Sequence, residues 1–212
     1  MTEPITLFVD KFWISPYVFS AFVALHEKGI AFETATLSVY EGEHRGAEYR
    51  DRSVTGRVPA LRHGDFWVAE SSAIVEYLEE TFPNPRVLPA SIPERARARQ
   101  VMAWVRSDLM AIRDERPTST MFYARAPAPL STAGVEAVER LLHAASMLVP
   151  DGRTSMFAAW SIADADLAMM LERLILNGHD VGPKLRAFAD TQWSRPSVRA
   201  FVERERLPYV GP

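Results

Sequence analysis

The residues Ser15, Pro16 and Tyr17 follow a short β-prone run at residues 5–10 and could carry chemistry. Serine is a favoured N-cap and proline a favoured first helical residue, so the tripeptide predicts a helix start. A hydroxyl at a helix start also lies where amide groups and the helix dipole favour negative charge. Ser15 could therefore donate a hydrogen bond to a thiolate. Simple capping is the alternative, and both roles use the same geometry.

The free energy needed for such thiol activation is modest. A free thiol titrates near about pH 8.5, and lowering its pKa by about two units requires roughly 2.7 kcal/mol. One charge-assisted hydrogen bond contributes about 1.5 to 3 kcal/mol, so one serine with a helix end is sufficient. The sequence contains no cysteine, so any thiol must come from a ligand. Disulfides, thiolate metal sites and protein mixed disulfides are thereby excluded.

A second segment of interest is Arg57-Val58-Pro59. The proline forces Val58 into an extended conformation and begins a strand after a glycine-containing loop. One interpretation is a plain strand boundary. The other is a cis-proline that turns the amide and carbonyl of Val58 outward as an edge for a peptide-like ligand. Both isomers remain open at the level of sequence.

A third segment, Glu70-Ser71-Ser72, directly precedes helical apolar spacing. The capping-box position three residues after Ser71 is Ile74, which is not an acid, so the helix start has no anion of its own. A ligand carboxylate could bind the Ser71 hydroxyl and the first amides, while Glu70 pairs with an ammonium group. An α-amino acid end presents both groups. Ordinary capping with a solvated glutamate is the alternative.

The elements that must position these segments follow from hydrophobic periodicity. The expected elements, in chain order, are a strand at 5–10, a helix at 16–28, a strand at 31–37, one short helix within the polar loop 38–56, strands at 59–62 and 66–68, and a helix at 71–80. This order predicts an α/β thioredoxin-like domain over residues 1–82.

Prolines at 83, 85, 89 and 93 predict an extended linker over residues 83–93. Helical spacing continues beyond it, so we expect an all-α domain over residues 94–212. The expected helices include one long helix through residues 101–112, another through 135–148, and a central helix at 162–176 that is apolar on nearly every side. Ser161 and Asp164 resemble a capping box at the start of the central helix, which is a structural role.

Composition and charge exclude several classes of protein. Hydrophobic residues make up 48% and charged residues 24%, which is typical of a packed globular chain. A net charge of −3 with scattered basic residues argues against a nucleic-acid partner. No apolar stretch is long enough for a membrane span or a signal peptide, so we expect a cytoplasmic protein. The five histidines show no metal-ligand spacing, so no metal is expected.

Several parts of the sequence occur together in one known family. These parts are Ser15-Pro16-Tyr17, Arg57-Val58-Pro59, Glu70-Ser71-Ser72-Ala73-Ile74, the proline-rich linker and Ser161-Ile162-Ala163-Asp164. In this order they resemble the cytosolic glutathione S-transferase family over the whole chain. Residues 95–99, 106–110 and 113–117 are similar to a bacterial subgroup of serine-type transferases. The resemblance implies a glutathione-binding thioredoxin-like domain, a helical domain that helps bind the second substrate, and a homodimer.

The resemblance also implies roles for individual residues. Ser15 would hydrogen-bond the glutathione sulfur, and Val58 would pair through its backbone with the cysteinyl unit. Glu70 and Ser71 would bind the γ-glutamyl end, and His44 or Arg57 could contact the glycine carboxylate. A soft apolar wall for the second substrate could include Trp13, Met110, Met121, Phe122 and Tyr123. Core packing is the alternative for each member of that set.

The expected activity is therefore that of a glutathione transferase. Glutathione, its bound co-substrate, would be activated as the thiolate for attack on electrophilic carbons or, as a peroxidase, on hydroperoxides. Two alternatives remain open. The first is a binding or scaffold protein that keeps the fold without turnover. The second is a disulfide reductase in which glutathione supplies both electrons.

Overall fold

The computed structural model describes residues 3–126 and 128–210. The chain forms two compact units. The first contains the residues up to Val87 together with those from Ala200 onward, and the second contains Leu88–Arg199. Each unit has its own set of fully buried apolar side chains.

The first unit is built on a four-stranded mixed sheet. Its strands are β1 (Ile5–Asp10), β2 (Glu33–Leu37), β3 (Ala60–His63) and β4 (Phe66–Ala69), in the spatial order β2-β1-β3-β4. Strand β1 pairs in parallel with β2 and antiparallel with β3, so that Phe8 lies opposite Ala35 on one side and Ala60 on the other. Strands β3 and β4 form an antiparallel hairpin. This is the thioredoxin-like sheet that the sequence predicts.

Three helices complete this sheet unit. They are α1 (Pro16–Glu27), α2 (Ala47–Ser53) and α3 (Ser71–Thr81), and α1 packs against α3. Helix α1 is buried from Val18 to Leu25 and supplies much of the core. The loop 38–56 was expected to carry one short helix. It carries two, because Gly46 ends a 3-10 turn at Glu43–Arg45 and begins α2.

The second unit is helical. Its helices are α4 (Ile92–Ser107), α5 (Met110–Glu115), α6 (Ser119–Phe122), α7 (Thr132–Leu148), α8 (Ile162–Ile175), α9 (Gly182–Trp193) and the start of α10 (Pro196–Val202). Helix α8 is buried from Ile162 to Leu174 and contacts α4 and α9, which confirms the prediction of a central helix.

The prediction of one long helix through residues 101–112 is wrong in one respect, because the helix is interrupted. Helix α4 ends at Ser107, and Leu109 adopts a left-handed conformation with φ 60° before α5 begins. The carboxylate of Asp108 stabilises the break by accepting hydrogen bonds from the Leu109 amide at 2.7 Å and the Trp104 indole at 3.0 Å. Apolar spacing continues across the break, so periodicity could not reveal it.

The end of the chain also differs from the expected helical domain of residues 94–212. Residues from Ala200 onward cluster with the first unit. Phe201 is fully buried there and makes edge contacts with the rings of Phe19, Phe22 and Trp13. Burying this ring against α1 favours the association, because a buried aromatic side chain contributes about 1.5 to 3 kcal/mol.

Ser161 and Asp164 form the expected cap at the start of α8. Asp164 Oδ2 accepts the Ser161 amide at 2.8 Å, and Oδ1 accepts the Met156 amide at 2.7 Å. Ser155 Oγ adds a third hydrogen bond at 3.0 Å. Burial raises the pKa of Asp164, and these hydrogen bonds act in the opposite direction. The structural role predicted for this pair is confirmed.

Within residues 3–126 and 128–210, no helix combines the length and the apolar character that crossing a membrane requires.

Candidate active site

Ser15 is the N-cap of α1, as its sequence context predicts. Its backbone is extended, and its Oγ accepts a hydrogen bond from the Val18 amide at 3.3 Å. Pro16 follows as the first helical residue. Because the oxygen acts as the acceptor in this cap, the hydroxyl proton remains able to point away from the helix toward a ligand. Capping and donation to a ligand are therefore compatible at this residue.

The loop of residues 11–15, the serine loop, is fixed by the residue that ends β1. Asp10 accepts the Ile14 amide on Oδ2 at 2.9 Å and the Ser15 amide on Oδ1 at 3.1 Å. Burial raises the pKa of Asp10, while these two hydrogen bonds and the charge of Arg206 lower it. Sequence reasoning missed Asp10. An acid at the end of a strand and five residues before a helix cap was the available signal.

A cavity of about 470 Å³ lies within the first unit. Three of the predicted site residues, His44, Arg57 and Val58, line it. Its lining also includes Tyr17, Arg45 and Arg50, to which sequence reasoning assigned no role. Ser15 lies two residues before Tyr17 at the start of the same helix, whereas Glu70 and Ser71 are not part of the lining.

The cavity wall is strongly basic. Arg45, Arg50 and Arg57 all contribute, and guanidinium groups bind carboxylates through paired N–H donors. His44 Nδ1 is buried without a hydrogen-bond partner among the described residues. Burial lowers the pKa of His44, and the charges of Arg45 and Arg57 lower it further. The wall suits an anionic, hydrogen-bonding group.

Two hydrogen bonds hold the loop that carries Arg57 and Val58 in place. The hydroxyl of Tyr49 donates to the Arg57 carbonyl at 2.7 Å, and Ser53 Oγ accepts the Gly56 amide at 3.1 Å. Gly56 has φ 58°, in the left-handed region that favours glycine. These contacts fix the course of the chain into Val58.

Val58 presents its backbone beside this cavity. The Val58–Pro59 peptide bond is cis, which answers the question that the sequence left open. Val58 is partly exposed, whereas Pro59 is buried. Among the described residues, neither the amide nor the carbonyl of Val58 has a hydrogen-bond partner. Both groups are therefore able to pair with an extended ligand.

Glu70 and Ser71 lie at the start of α3, as the sequence suggested, but the N-cap position lies one residue before Ser71. Glu70 is the N-cap residue with φ 70°, and Ser71 is the first helical residue. The Glu70 side chain makes no capping hydrogen bond, and the first turn of α3 contains no acid. Glu70 is exposed and Ser71 is buried. The amides at this end are thus suited to a carboxylate, and Glu70 can approach an ammonium group.

The part of the chain that the structure describes contains no group of three or more His, Asp or Glu side chains arranged to bind a metal ion.

Comparison with known proteins gives the same architecture and decides the family. A family model described as glutathione S-transferase, N-terminal domain, matches residues 14–81. A second, described as glutathione S-transferase, C-terminal domain, matches residues 91–205. The chain belongs to the glutathione S-transferase family.

Individual relatives agree with this assignment. A glutathione transferase homologue from Burkholderia, whose crystal structure contains bound glutathione, is 42% identical and has a TM-score of 0.79, with 95% of this chain and 97% of that chain covered. A glutathione S-transferase from Rhodospirillum rubrum is 25% identical with a TM-score of 0.76, covering 98% and 96%.

Glutathione S-transferase 1 of Dianthus caryophyllus is 36% identical over 104 residues, which cover 49% of this chain and 47% of that protein. The chain spans about half the length of the curated relatives that it matches, so activity is inferred from the site.

The residues expected at the second-substrate pocket of a glutathione S-transferase have different environments. Trp13 is buried in the first unit and packs against Phe22 and Phe201, which favours the core-packing alternative. The remaining members lie in the helical unit, where Met110 is 48% exposed and Met121, Phe122 and Tyr123 are partly exposed.

Proposed function

We propose that this member of the family is a glutathione transferase in which Ser15 stabilises the thiolate of bound glutathione. The observation that carries the proposal is the hydrogen-bond state of Ser15. Its oxygen accepts the Val18 amide, and its proton remains available for an acceptor outside the helix. At the N-terminus of α1, which has no acid in its first turn, that acceptor would be an anion.

The basic cavity supports binding of the peptide by its carboxylate. In the proposal, Arg57 binds the glycine carboxylate together with His44, whose unpaired Nδ1 can act as donor or acceptor. Arg45 and Arg50 add positive charge to the same wall. Val58 pairs through its backbone amide and carbonyl with the cysteinyl unit, as in the addition of a strand to a sheet edge.

The γ-glutamyl end would bind at the start of α3. Its carboxylate would accept hydrogen bonds from the backbone amides at the start of α3 and from the Ser71 hydroxyl. Its ammonium group would pair with Glu70. The absence of an acidic side chain from the first turn of α3 supports this assignment, because no carboxylate of that turn competes with the ligand.

The protein's contribution to the reaction is activation and orientation. With Ser15 donating to the sulfur, the thiolate displaces a leaving group from an electrophilic carbon. With a hydroperoxide the thiolate attacks the terminal oxygen, the O–O bond breaks, and the alcohol leaves after taking up a proton. The resulting sulfenic acid of glutathione then reacts with a second glutathione thiol to give the disulfide and water. The chain contains no cysteine, so the protein forms no mixed disulfide with glutathione. In the proposal Ser15 acts by hydrogen bonding alone. The homologue from Burkholderia with bound glutathione supports this choice of co-substrate. Assembly as a homodimer and a cytoplasmic location stay predictions.

The proposal is tested by measuring glutathione binding and turnover on the same preparation. Calorimetric titration gives binding, and consumption of glutathione is followed with an activated aryl halide and with an organic hydroperoxide. We expect binding and turnover with at least one substrate. A matched variant, Arg57→Met, should weaken glutathione binding about tenfold, by analogy with other lost charge-assisted pairs. Binding without turnover would favour the scaffold alternative, and no binding would contradict the proposal.

A further inference from the structure

The segment from Ala200 to the described end of the chain makes close contact with the serine loop, residues 11–15. Arg206 Nε donates to the Trp13 carbonyl at 3.2 Å. The same guanidinium donates to the carbonyls of Phe201, Val202 and Arg204 at 2.9, 2.9 and 2.8 Å. One side chain therefore joins the end of α10 to the loop that leads into Ser15.

Trp13 needs this support because of its backbone conformation. Its φ of 53° lies in the left-handed region, which non-glycine residues rarely adopt unless surrounding contacts impose it. Its ring is buried against Phe22 and Phe201, and the Arg204 guanidinium lies 3.8 Å from its centroid. The C-terminal segment thus contacts both the backbone and the ring of this residue.

A second aromatic contact lies on the other side of the loop. The rings of Phe12 and Tyr209 meet edge to face with centroids 5.3 Å apart. The hydroxyl groups of Tyr209 and Tyr40 are 2.8 Å apart, within hydrogen-bond distance. Successive loop residues therefore depend on the same C-terminal segment.

Asp10, at the end of β1, also holds the serine loop. Its two carboxylate oxygens accept the amides of Ile14 and Ser15, one each, directly before the N-cap hydroxyl. A carboxylate near a thiolate would by itself disfavour the anion. The charge of Arg206 also acts on Asp10 and lowers its pKa, although burial has the larger effect in the opposite direction.

We propose that Asp10 and Arg206 are positioning residues that together orient Ser15 for thiolate stabilisation, which makes the C-terminal segment part of the glutathione site. The inference rests on the proposed function of Ser15. The direction of the Ser15 hydroxyl follows from its backbone, and a small displacement of a donor is costly in a site that depends on orientation. The planar guanidinium of Arg206 reaches carbonyls on both sides, which the three donors of a lysine ammonium cannot reproduce.

The first test needs no glutathione. Hydrogen exchange is measured for the amides of residues 11–15 in the full chain and in Arg206→Met, Arg206→Lys and Asp10→Asn. We expect exchange at Ile14 and Ser15 to accelerate about tenfold or more in Arg206→Met and Asp10→Asn, and less in Arg206→Lys. The matched control is Arg195→Met, which removes a guanidinium stacked on Trp160 in the helical unit. Unchanged loop exchange in all three variants would overturn the proposal.

The second test measures the pKa of the bound glutathione thiol, together with kcat and the KM for glutathione. Arg206→Met should raise that pKa by about one unit and lower kcat near neutral pH about threefold, with a smaller change in KM. Asp10→Asn should raise the thiol pKa by less, because losing the carboxylate also removes a charge that disfavours the thiolate. If Arg206→Met does not fold, Arg206→Lys and Asp10→Asn decide the outcome. If the variants fold and the amides of the serine loop exchange faster, but the pKa of the bound thiol is unchanged, the positioning role of Asp10 and Arg206 is contradicted while the proposed function stands. A wild-type protein that fails to lower the thiol pKa would instead contradict the proposed function.

Discussion

The Ser15 hydroxyl oxygen lies 3.3 Å from the backbone nitrogen of Val18 and accepts its hydrogen. This contact satisfies one of the amides at the start of α1 that have no partner within the helix. It also leaves the hydroxyl proton for another acceptor. One side chain can therefore stabilise the helix and bind an anion, so removing the Ser15 hydroxyl should affect both the stability of the protein and the pKa of the bound thiol.

The capping role predicts a defined loss of stability. Ser15→Ala should lower the free energy of unfolding by about 1 kcal/mol, because the Val18 amide loses its acceptor. Ser15→Thr keeps an acceptor at the same position and should cost only a few tenths of a kcal/mol. Urea unfolding of both variants measures the difference. Equal stability of Ser15→Ala and the wild type would show that the contact contributes nothing to folding.

The cap of α8 should contribute more, because its groups are buried. Asp164→Ala removes the acceptor of the Ser161 and Met156 amides, and we expect a loss of about 3 kcal/mol. Ser131→Ala is the control. Ser131 caps the exposed start of α7 through the Gly134 amide at 3.1 Å, and its loss should cost about 1 kcal/mol. Unfolding free energies that rank the two variants in the reverse order would contradict this account.

A buried ion pair joins α1 to α3. Lys28 Nζ lies 2.8 Å from Glu79 Oε2, and both side chains are almost fully buried. Lys28→Met should destabilise the protein by about 3 kcal/mol, because it leaves Glu79 only the partly exposed Arg86, 3.4 Å away, as an ionic partner. It also removes the hydrogen bonds that Lys28 donates to the Phe82 and Pro85 carbonyls. Adding Glu79→Gln, which can still accept the Val87 amide, should restore part of that loss.

The control for this pair is Lys184→Met. Lys184 forms a 2.6 Å ion pair with the exposed carboxylate of Asp151, and such pairs contribute about 1 kcal/mol or less. Denaturant unfolding of the three variants provides the comparison. A loss in Lys28→Met no greater than in Lys184→Met would refute the importance of the buried pair.

Stability should depend on pH through Glu172 in α8. Burial raises the pKa of Glu172 to about 7 from its usual 4.5, the charge of Asp190 adds to the effect, and Arg186 opposes it. An acid with a higher pKa in the folded state binds its proton more tightly there. Its stabilising contribution is complete below about pH 4.5 and is lost as the pH rises through about 7.

The consequence is measurable with Glu172→Gln. Near about pH 8 this variant should be more stable than the wild type by about 1 to 3 kcal/mol, and near about pH 5 the difference should shrink. Glu136→Gln, on the exposed face of α7, should show no such trend. Thermal unfolding at both pH values measures the effect. A gain that is independent of pH would contradict the assigned cause.

Local signals in the sequence made elements of both units predictable. Strand β1 has the bounds that its apolar run suggests, and α1 begins at Pro16 because the serine cap and the proline are adjacent in sequence. Helix α8 was recognisable because residues apolar on nearly every side fit only a central position. Each of these signals lies within one element, where periodicity and capping are decisive.

The remaining features depend on residues far apart in the sequence. Arg206 contacts Trp13 across 193 positions, and no local pattern connects them. Arg45 and Arg50 lie in the polar loop 38–56, where no local pattern assigned them a role, and only the folded loop brings them to the cavity. The break at Leu109 was hidden because the hydrogen bond that the Asp108 carboxylate accepts from the Leu109 amide stabilises it, while the apolar spacing is unchanged.

The most direct test of the central claim is the pKa of the glutathione thiol when it is bound to the wild type, Ser15→Thr and Ser15→Ala. Thiolate absorbance is followed across pH at saturating glutathione. The account predicts a pKa about two units below the free value of about 8.5 in the wild type, a similar value in Ser15→Thr, and a rise toward the free value in Ser15→Ala with binding largely retained. An equally low thiol pKa in Ser15→Ala would contradict it and assign thiolate stabilisation to another group.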